Sequence, residues 1–172
     1  MPRLLVCPLS ALDDALESHR PSHLVTLLSP QHMIPTPAGF DPGRHLRLGI
    51  DDVGDPKAAD HPPGRADIDQ LLAFARSWDG QSPLLIHCWA GISRSMASAF
   101  TVLCDWFGLG LEMEIALAMR RRAPHASPNR LLVRHADDAL GRGGRMMTAL
   151  SGMGQPLQVI EGVTTVFPLV NL

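Results

Sequence analysis

Five residues separate a cysteine from an arginine in this chain, and these two side chains are its best candidates for chemistry. Cys88 follows a short apolar run and opens a tight loop, and Arg94 begins a segment with helical spacing. Backbone N–H groups at a helix N-terminus can converge on one anion, and a guanidinium can hold two phosphate oxygens. Such positive surroundings also lower the pKa of a cysteine thiol. The segment predicts a cradle for a phosphate dianion with a thiolate at its floor.

The remaining loop residues have predicted supporting roles. Gly91 permits a backbone conformation that a Cβ atom would hinder. Ser95 is placed to donate a hydrogen bond to the sulfur, and His87 is expected to orient the loop rather than act as a base. The predicted phosphate-binding set, mostly through backbone N–H groups, is Trp89, Ala90, Gly91, Ile92, Ser93 and Arg94. The Trp89 and Ile92 side chains are free to line the rim of the pocket or to pack beneath it.

Residues 87–95, HCWAGISRS, resemble the signature of the cysteine-dependent protein tyrosine phosphatases (CX5R) and are most similar to the dual-specificity branch. The resemblance extends over about residues 3–150. It implies hydrolysis through a phosphocysteine and a carboxylic acid on a separate loop, several tens of residues before the cysteine. Ser127-Pro128-Asn129, downstream of Arg120, resembles the stretch that precedes the family's last long helix. By this resemblance Asn129 supports the phosphate loop, and the alternative is a residue that merely starts a helix.

Asp52 is the predicted general acid. Leu46, Leu48 and Ile50 alternate with other residues at the period of a strand with one buried face. Asp52 continues this alternation, so its side chain is expected to turn toward the cysteine. Asp51 is the second choice and Asp55 the third, and a merely solvated acidic loop is the remaining interpretation.

Composition limits the possible functions. The chain has 172 residues, a formal net charge of −2 and three cysteines. This length suits one domain, here a catalytic domain over 1–153 with a tail over 154–172. The charge gives no support to nucleic-acid binding, and neither a signal peptide nor a membrane-spanning segment is expected. Three widely spaced cysteines form neither a disulfide framework nor a zinc pattern, which favours the cytoplasm. No metal or cofactor is expected, and the oligomeric state stays open.

The spacing of apolar residues predicts an α/β fold. We expect a single domain with a central, mostly parallel sheet of about four or five strands flanked by helices, as in the dual-specificity phosphatases. Ser10 and Ser127 are the predicted N-caps of the first and of the last long helix. The predicted strands cover 3–6, 23–28, 46–50 and 84–86, and the predicted helices cover 10–19, 68–78, 93–107, 111–122, 127–140 and 145–150.

The expected reaction is phosphomonoester hydrolysis through a phosphocysteine, with a phosphorylated protein or a small phosphate ester as substrate. The chain contains no tyrosine, so a tyrosine cannot form the aromatic wall by which tyrosine-specific relatives grip phosphotyrosine. Residues 89–93 include no lysine or arginine, which argues against a highly charged inositol phosphate. Two alternatives are a sulfurtransferase or arsenate-reductase-like thiol enzyme and a catalytically silent module that docks phosphoproteins.

Overall fold

A five-stranded sheet forms the centre of the computed structural model, which describes residues 1–170. The strands are β1 (Arg3–Pro8), β2 (His23–Leu28), β3 (His45–Gly49), β4 (Leu84–Cys88) and β5 (Thr165–Pro168). Their spatial order is β3-β2-β4-β1-β5, in which the first four strands are parallel and β5 runs antiparallel to β1. This sheet confirms the predicted α/β class and its mostly parallel pairing.

The central strands are buried along their whole length because helices cover both faces of the sheet. Every residue of β2 and of β4 is buried, as expected for parallel strands inside an α/β layer structure. β3 lies at the edge, and there the buried residues Leu48 and Ile50 alternate with the exposed Arg47 and Gly49. The carboxyl ends of β1, β2 and β4 therefore meet at one edge of a rigid layer.

Six α-helices surround the sheet within residues 1–170. They are α1 (Leu12–His19), α2 (Arg65–Ser77), α3 (Arg94–Phe107), α4 (Glu112–Arg122), α5 (Arg130–Ala139) and α6 (Arg145–Gly152). α1 packs on one face with Leu5, Leu24 and Leu85, and the larger cluster of helices and core side chains occupies the other face. α3 is the central helix of that cluster, and it contacts α2, α4, α5, β4 and β1.

Both predicted serine caps are wrong. Ser10 lies in a 3-10 turn that precedes α1, and its hydroxyl donates to Glu161 Oε1 at 2.8 Å. The Ser127 N–H donates to the Ile92 carbonyl and so holds Ser127 against the residues that precede α3, and the first residue of α5 is Arg130. Asn129 caps α5 instead, since its carboxamide oxygen accepts from the Leu132 N–H at 3.0 Å.

The segment that follows α6 returns to the sheet. The sequence offers no partner for this segment, but its residues 165–168 form β5 and pair with β1. On the way, the Leu157 N–H donates to the Pro124 carbonyl and the Gly162 N–H donates to the Ala90 carbonyl, each at 2.8 Å. The segment thus runs along the loop that follows β4. Within residues 1–170, no helix is both long enough and apolar enough to cross a membrane.

A buried ion pair joins the helices on the side away from the β4 loop. Arg142 Nη1 lies 3.3 Å from Glu112 Oε1, and Arg142 Nη2 donates to the Cys104 carbonyl at 2.8 Å. Both charged side chains are less than a tenth exposed. Arg145 also approaches Glu112, at 3.8 Å, but its side chain is half exposed.

We expect Arg142→Leu to lower the free energy of unfolding by about 3–5 kcal/mol, because it leaves the Glu112 carboxylate buried without its partner. Urea denaturation measures the change. Arg145→Ala is the matched control and is expected to cost less than about 1 kcal/mol, because a half-exposed pair is screened by water. Equal losses in the two variants would contradict the assignment of the buried pair.

Candidate active site

Cys88 is the last residue of β4, and Arg94 is the first residue of α3, so the five residues between them form the strand-to-helix loop. The Cys88 side chain is buried, with an exposed fraction of 2%. Its Sγ atom lies 3.1 Å from the hydroxyl of Ser95, which is also buried. The predicted pair of a thiol and a hydroxyl is thus in hydrogen-bond contact at the N-terminus of α3.

Two carbonyl groups early in the loop are bonded to groups outside it. The Trp89 carbonyl accepts from the Leu9 N–H at 3.0 Å, just beyond the end of β1, and the Ala90 carbonyl accepts from the Gly162 N–H at 2.8 Å. In a planar trans peptide the C=O and the following N–H point in opposite directions. The N–H groups of Ala90 and Gly91 therefore point toward the inside of the loop.

The end of the loop is held in the same way by the turn before α5. The Ile92 carbonyl accepts from the Ser127 N–H at 3.0 Å. The Ser93 carbonyl accepts from the Asn129 N–H at 3.3 Å and from the Ala97 N–H at 2.9 Å. By the same peptide geometry, the N–H groups of Ser93 and Arg94 face inward, next to the positive end of the α3 dipole. The loop can therefore surround an anion with N–H donors.

The loop turns at Gly91, where φ is +69°. A Cβ atom here would lie 2.7 Å from the Pro8 backbone nitrogen and 2.9 Å from the Cys7 carbonyl carbon. The backbone of the loop is thus packed directly against the end of β1, and this packing requires glycine. Gly162 makes a similar close approach from outside, since a Cβ there would lie 3.0 Å from the Gly91 carbonyl oxygen.

The guanidinium of Arg94 is buried, and a hydrogen bond to the backbone after β3 fixes its orientation. Its Nη1 donates to the Ile50 carbonyl at 2.8 Å, and its Nε has no hydrogen-bond partner among the described residues. An unpaired buried N–H is costly unless a ligand accepts from it. The edge of the guanidinium that carries Nε is therefore suited to an anion held in the loop.

Asp52 lies at the mouth of the same loop. Its Oδ1 accepts from the Ser93 hydroxyl at 2.6 Å and from Asn129 Nδ2 at 2.8 Å, and its Oδ2 is 3.8 Å from Arg94 Nε. The side chain is 37% exposed, so a bound molecule can reach it. Asn129 also donates to the Val53 carbonyl at 3.0 Å. Asn129 therefore both starts α5 and connects Asp52 to the loop.

The other two candidate acids are occupied elsewhere. The backbone N–H of Asp51 donates to the His61 carbonyl at 2.7 Å, and its carboxylate accepts from the His61 N–H at 3.1 Å. Hydrogen bonds from the Ser29 side chain and the His61 backbone lower the pKa of Asp51. The Asp55 carboxylate accepts from the Lys57 N–H within its own turn. Among the three, Asp52 is the one that contacts the β4–α3 loop.

His87 points away from Cys88, to the opposite face of the sheet, because successive side chains of a strand alternate. Its Nε2 lies 2.7 Å from the Thr26 hydroxyl, and the residue is fully buried. Burial lowers the pKa of His87 to about 4, so the ring is neutral at pH 7. This position agrees with an orienting role and leaves no path for the ring to reach a substrate.

A small open cavity lies beside the loop. Its volume is about 250 Å³, and its lining comprises Leu28, Ser29, His32, Trp89 and Arg94. The indole of Trp89 is 54% exposed, and its ring centroid is 5.3 Å from that of the His32 imidazole. Trp89 therefore lines the rim rather than packing beneath the loop. The cavity is shallow, and Arg94 is the charged side chain among these lining residues.

The other two thiols differ from Cys88 in their surroundings. Cys7 pairs in register with His87, and its side chain lies on the α1 face, opposite to that of Cys88. Burial raises the pKa of Cys7 to about 12 and also raises the pKa of Cys104. Both are therefore protonated thiols at neutral pH.

Within the described part of the chain, no group of three or more histidine, cysteine or acidic side chains could hold a metal ion.

Sequence reasoning missed three contributors to the site. Thr26 and His45 are hydrogen-bonded to each other behind His87, and Gly162 contacts the loop from the C-terminal segment. Thr26 in β2 and His87 in β4, with mostly apolar neighbours, were a usable signal, since buried polar side chains are hydrogen-bonded. Nothing in the local sequence around Gly162 indicates its position.

We expect Gly91→Ala to lower the free energy of unfolding by at least about 2 kcal/mol, because a left-handed conformation and an overlap with β1 both oppose the new Cβ. Urea denaturation measures it. Gly54→Ala is the matched control, since a Cβ at that exposed position meets nothing within 4 Å. If Gly91→Ala proved as stable as Gly54→Ala, the loop would not be packed on β1 as described.

Comparison with solved structures identifies the fold. The chain superimposes on DUSP15 with a TM-score of 0.65 at 18% identity, over 90% of this chain and 94% of that one. Superposition on the human tyrosine phosphatase-like serine/threonine/tyrosine-interacting protein gives a TM-score of 0.63 at 20% identity. It covers 79% of this chain and 89% of that one. Superposition on human DUSP28 gives a TM-score of 0.60 at 20% identity, over 86% of this chain and 94% of that one. No family model and no curated protein sequence matches the chain. The chain therefore has the fold of the cysteine-dependent phosphatases of the dual-specificity type.

Proposed function

We propose that this protein is a phosphomonoester hydrolase that works through a phosphocysteine, with the substrate range of a protein-tyrosine or dual-specificity phosphatase. The observation that carries the proposal is the 3.1 Å contact between Cys88 Sγ and Ser95 Oγ at the floor of a loop whose carbonyl groups are bonded outward. A thiol in that position faces the N–H groups that would hold a phosphate. Nucleophile and anion site are thus adjacent.

In the first step the Cys88 thiolate attacks phosphorus, and the bond between phosphorus and the ester oxygen breaks. The inward N–H groups and the Arg94 guanidinium hold the three other phosphoryl oxygens as charge develops on them. Asp52, in its protonated form, gives its proton to the departing oxygen. The products of this step are an alcohol or phenol and a phosphocysteine.

In the second step water attacks the phosphocysteine. The Asp52 carboxylate takes a proton from that water, and the bond between sulfur and phosphorus breaks. The Ser95 hydroxyl donates a hydrogen bond to the departing thiolate. Inorganic phosphate leaves, and Asp52 is again protonated for the next cycle.

The geometry favours Asp52 over Asp51 as the acid. Asp52 is accessible and lies beside Arg94, whereas the Asp51 carboxylate is bonded to the loop at His61. The lowered pKa of Asp51 also opposes a role that requires a proton at neutral pH. In the loop after Ile50, Asp51 thus holds the backbone to His61, and Asp52 is the proposed acid.

The shallow cavity beside the β4–α3 loop favours phosphorylated side chains of proteins as the substrates. A cavity of about 250 Å³ with an indole and an imidazole at its edge can accept an aryl or an alkyl phosphate. One solved structure with the same fold is PTPMT1 in complex with PI(5)P, at 16% identity. In this chain residues 89–93 carry no cation, which favours a phosphoprotein over a phosphoinositide. The three free thiols suit the reducing cytoplasm.

Cys88→Ser is expected to lower kcat for 4-nitrophenyl phosphate by about 10⁴-fold or more, since it removes the nucleophile. Cys104→Ser is the control and is expected to keep the wild-type rate, because that thiol lies within α3, remote from the loop. Circular dichroism verifies the fold of both variants. A wild-type protein that binds phosphate but hydrolyses no ester would instead indicate a silent phosphate-binding module.

Asp52→Asn is expected to lower kcat by about 100-fold or more for phenyl phosphate and much less for 4-nitrophenyl phosphate, because only the poorer leaving group needs a proton. Asp55→Asn, on the same exposed loop, is the matched control and should leave both rates unchanged. The ratio of the two rates in each variant is the measurement. A sulfurtransferase would show persulfide transfer that Asp52→Asn does not affect, and equal loss on both esters would refute Asp52 as the acid.

A further inference from the structure

The chain between α6 and β5 passes across the outer side of the β4–α3 loop, and we call its residues 154–164 the strap. The Gly162 N–H donates to the Ala90 carbonyl at 2.8 Å. The neighbouring Glu161 carboxylate accepts from the Ser10 hydroxyl at 2.8 Å, just beyond the end of β1. The segment that contains Ser10 also bonds to the loop, through the Leu9 N–H. The strap therefore contacts both the loop and one of the segments that hold it.

The start of the strap is fixed on the turn before α5. Arg120 donates from Nε to the Met153 carbonyl at 3.2 Å and from Nη2 to the Gly154 carbonyl at 3.1 Å. Its Nη1 and the Leu157 N–H both donate to the Pro124 carbonyl, at 2.6 and 2.8 Å. N–H groups of the same turn bond to carbonyl groups at the end of the β4–α3 loop. The strap and the loop therefore share one support.

Gly162 lies in a space that accommodates no side chain. A Cβ atom there would lie 2.6 Å from Nε2 of His125, which is buried in the turn before α5, and 3.0 Å from the Gly91 carbonyl oxygen. The φ angle of Gly162 is not in the left-handed region, so the close approach of its neighbours, rather than its backbone conformation, requires glycine. The backbone of the strap is thus held between the His125 imidazole and the loop.

The bond from Gly162 orients one donor of the anion site. The Ala90 carbonyl and the Gly91 N–H belong to the same planar peptide, in which they point in opposite directions. We propose that Gly162 is a positioning residue, whose N–H holds this peptide so that the Gly91 N–H faces the bound phosphoryl group. The role rests on the proposed function. It also extends the catalytic unit beyond residue 153, through the strap to β5.

Anion binding and attachment of the strap are expected to be coupled. If the attached strap improves the affinity of the loop for phosphate, bound phosphate must hold the strap more tightly by the same free energy. Leu157 and Ile160 of the strap are 63% and 99% exposed, so hydrogen bonds contribute much of its attachment. Orthophosphate is therefore expected to slow the exchange of the Gly162 amide hydrogen with solvent, which nitrogen-15 NMR measures without turnover.

The direct test removes the N–H of Gly162 and nothing else. Semisynthesis of the full chain with glycolic acid at position 162 replaces this N–H by an ester oxygen and adds no side chain. The all-amide protein made by the same ligation is the control. We expect the dissociation constant of orthophosphate, measured by protection of Cys88 from iodoacetamide, to rise about 5–10-fold, as for the loss of one N–H donor to an anion. The kcat/KM for 4-nitrophenyl phosphate should fall by a similar factor.

Gly162→Ala tests the same contact by mutation, because its Cβ forces the strap away from the loop and from His125. It should raise the orthophosphate constant at least as much as the ester does. Ile160→Ala changes a fully exposed side chain of the same strap and should leave the constant unchanged.

An ester protein with the orthophosphate constant of its control would overturn the inference. A strap that only stabilises the fold would lower the urea midpoint without changing the affinity of the folded protein. Exchange of the Gly162 amide that orthophosphate does not slow would also overturn it. If orthophosphate fails to protect Cys88 even in the wild type, the proposed function itself fails, whereas protection that neither variant weakens refutes the positioning role alone.

Discussion

The outward bonding of the carbonyl groups in the β4–α3 loop is the constraint on which the rest of the site depends. The bonds come from three parts of the chain: Leu9 after β1, Gly162 in the C-terminal segment, and Ser127 and Asn129 in the turn before α5. Because each peptide is planar, fixing the carbonyl also fixes the N–H that faces the anion. The donors are thus oriented without a bound anion, so the proposed reaction spends no free energy on reorienting them.

The three cysteines show how much the surroundings of a thiol decide its chemistry. Cys7 and Cys88 belong to adjacent residue pairs of neighbouring strands, yet their side chains lie on opposite faces of the sheet. Burial among apolar side chains raises the pKa of Cys7 to about 12, and Cys104 is affected in the same direction. Cys88 instead meets a hydroxyl, a helix N-terminus and a ring of N–H groups. Cys88 is the thiol that the proposed mechanism uses as the nucleophile.

Most of the fold follows from local sequence, because apolar spacing records which face of an element is buried. The strands through Leu24, Leu48 and Ile86 and the helix after Ser93 were predictable in this way. The proposed roles of Cys88 and Arg94 also follow from contiguous residues. The hydrogen bonds of Thr26 with His45 and His87 do not, because they join residues on different strands whose register only the assembled sheet defines. The contact of Gly162 with the loop could not be predicted for the same reason, since its partner Ala90 lies more than seventy residues earlier in the chain.

Asn129 both caps α5 and contacts Asp52, the proposed general acid. Its carboxamide oxygen accepts from the Leu132 N–H and starts α5, which fixes the plane of the amide. The amide nitrogen must then point toward the loop after β3, where it donates to Asp52 Oδ1 and the Val53 carbonyl. The Ser93 hydroxyl holds the same carboxylate oxygen. Oδ2 is thereby turned toward Arg94 and the mouth of the loop, so the helix cap itself orients the carboxylate that the proposed mechanism uses as the acid.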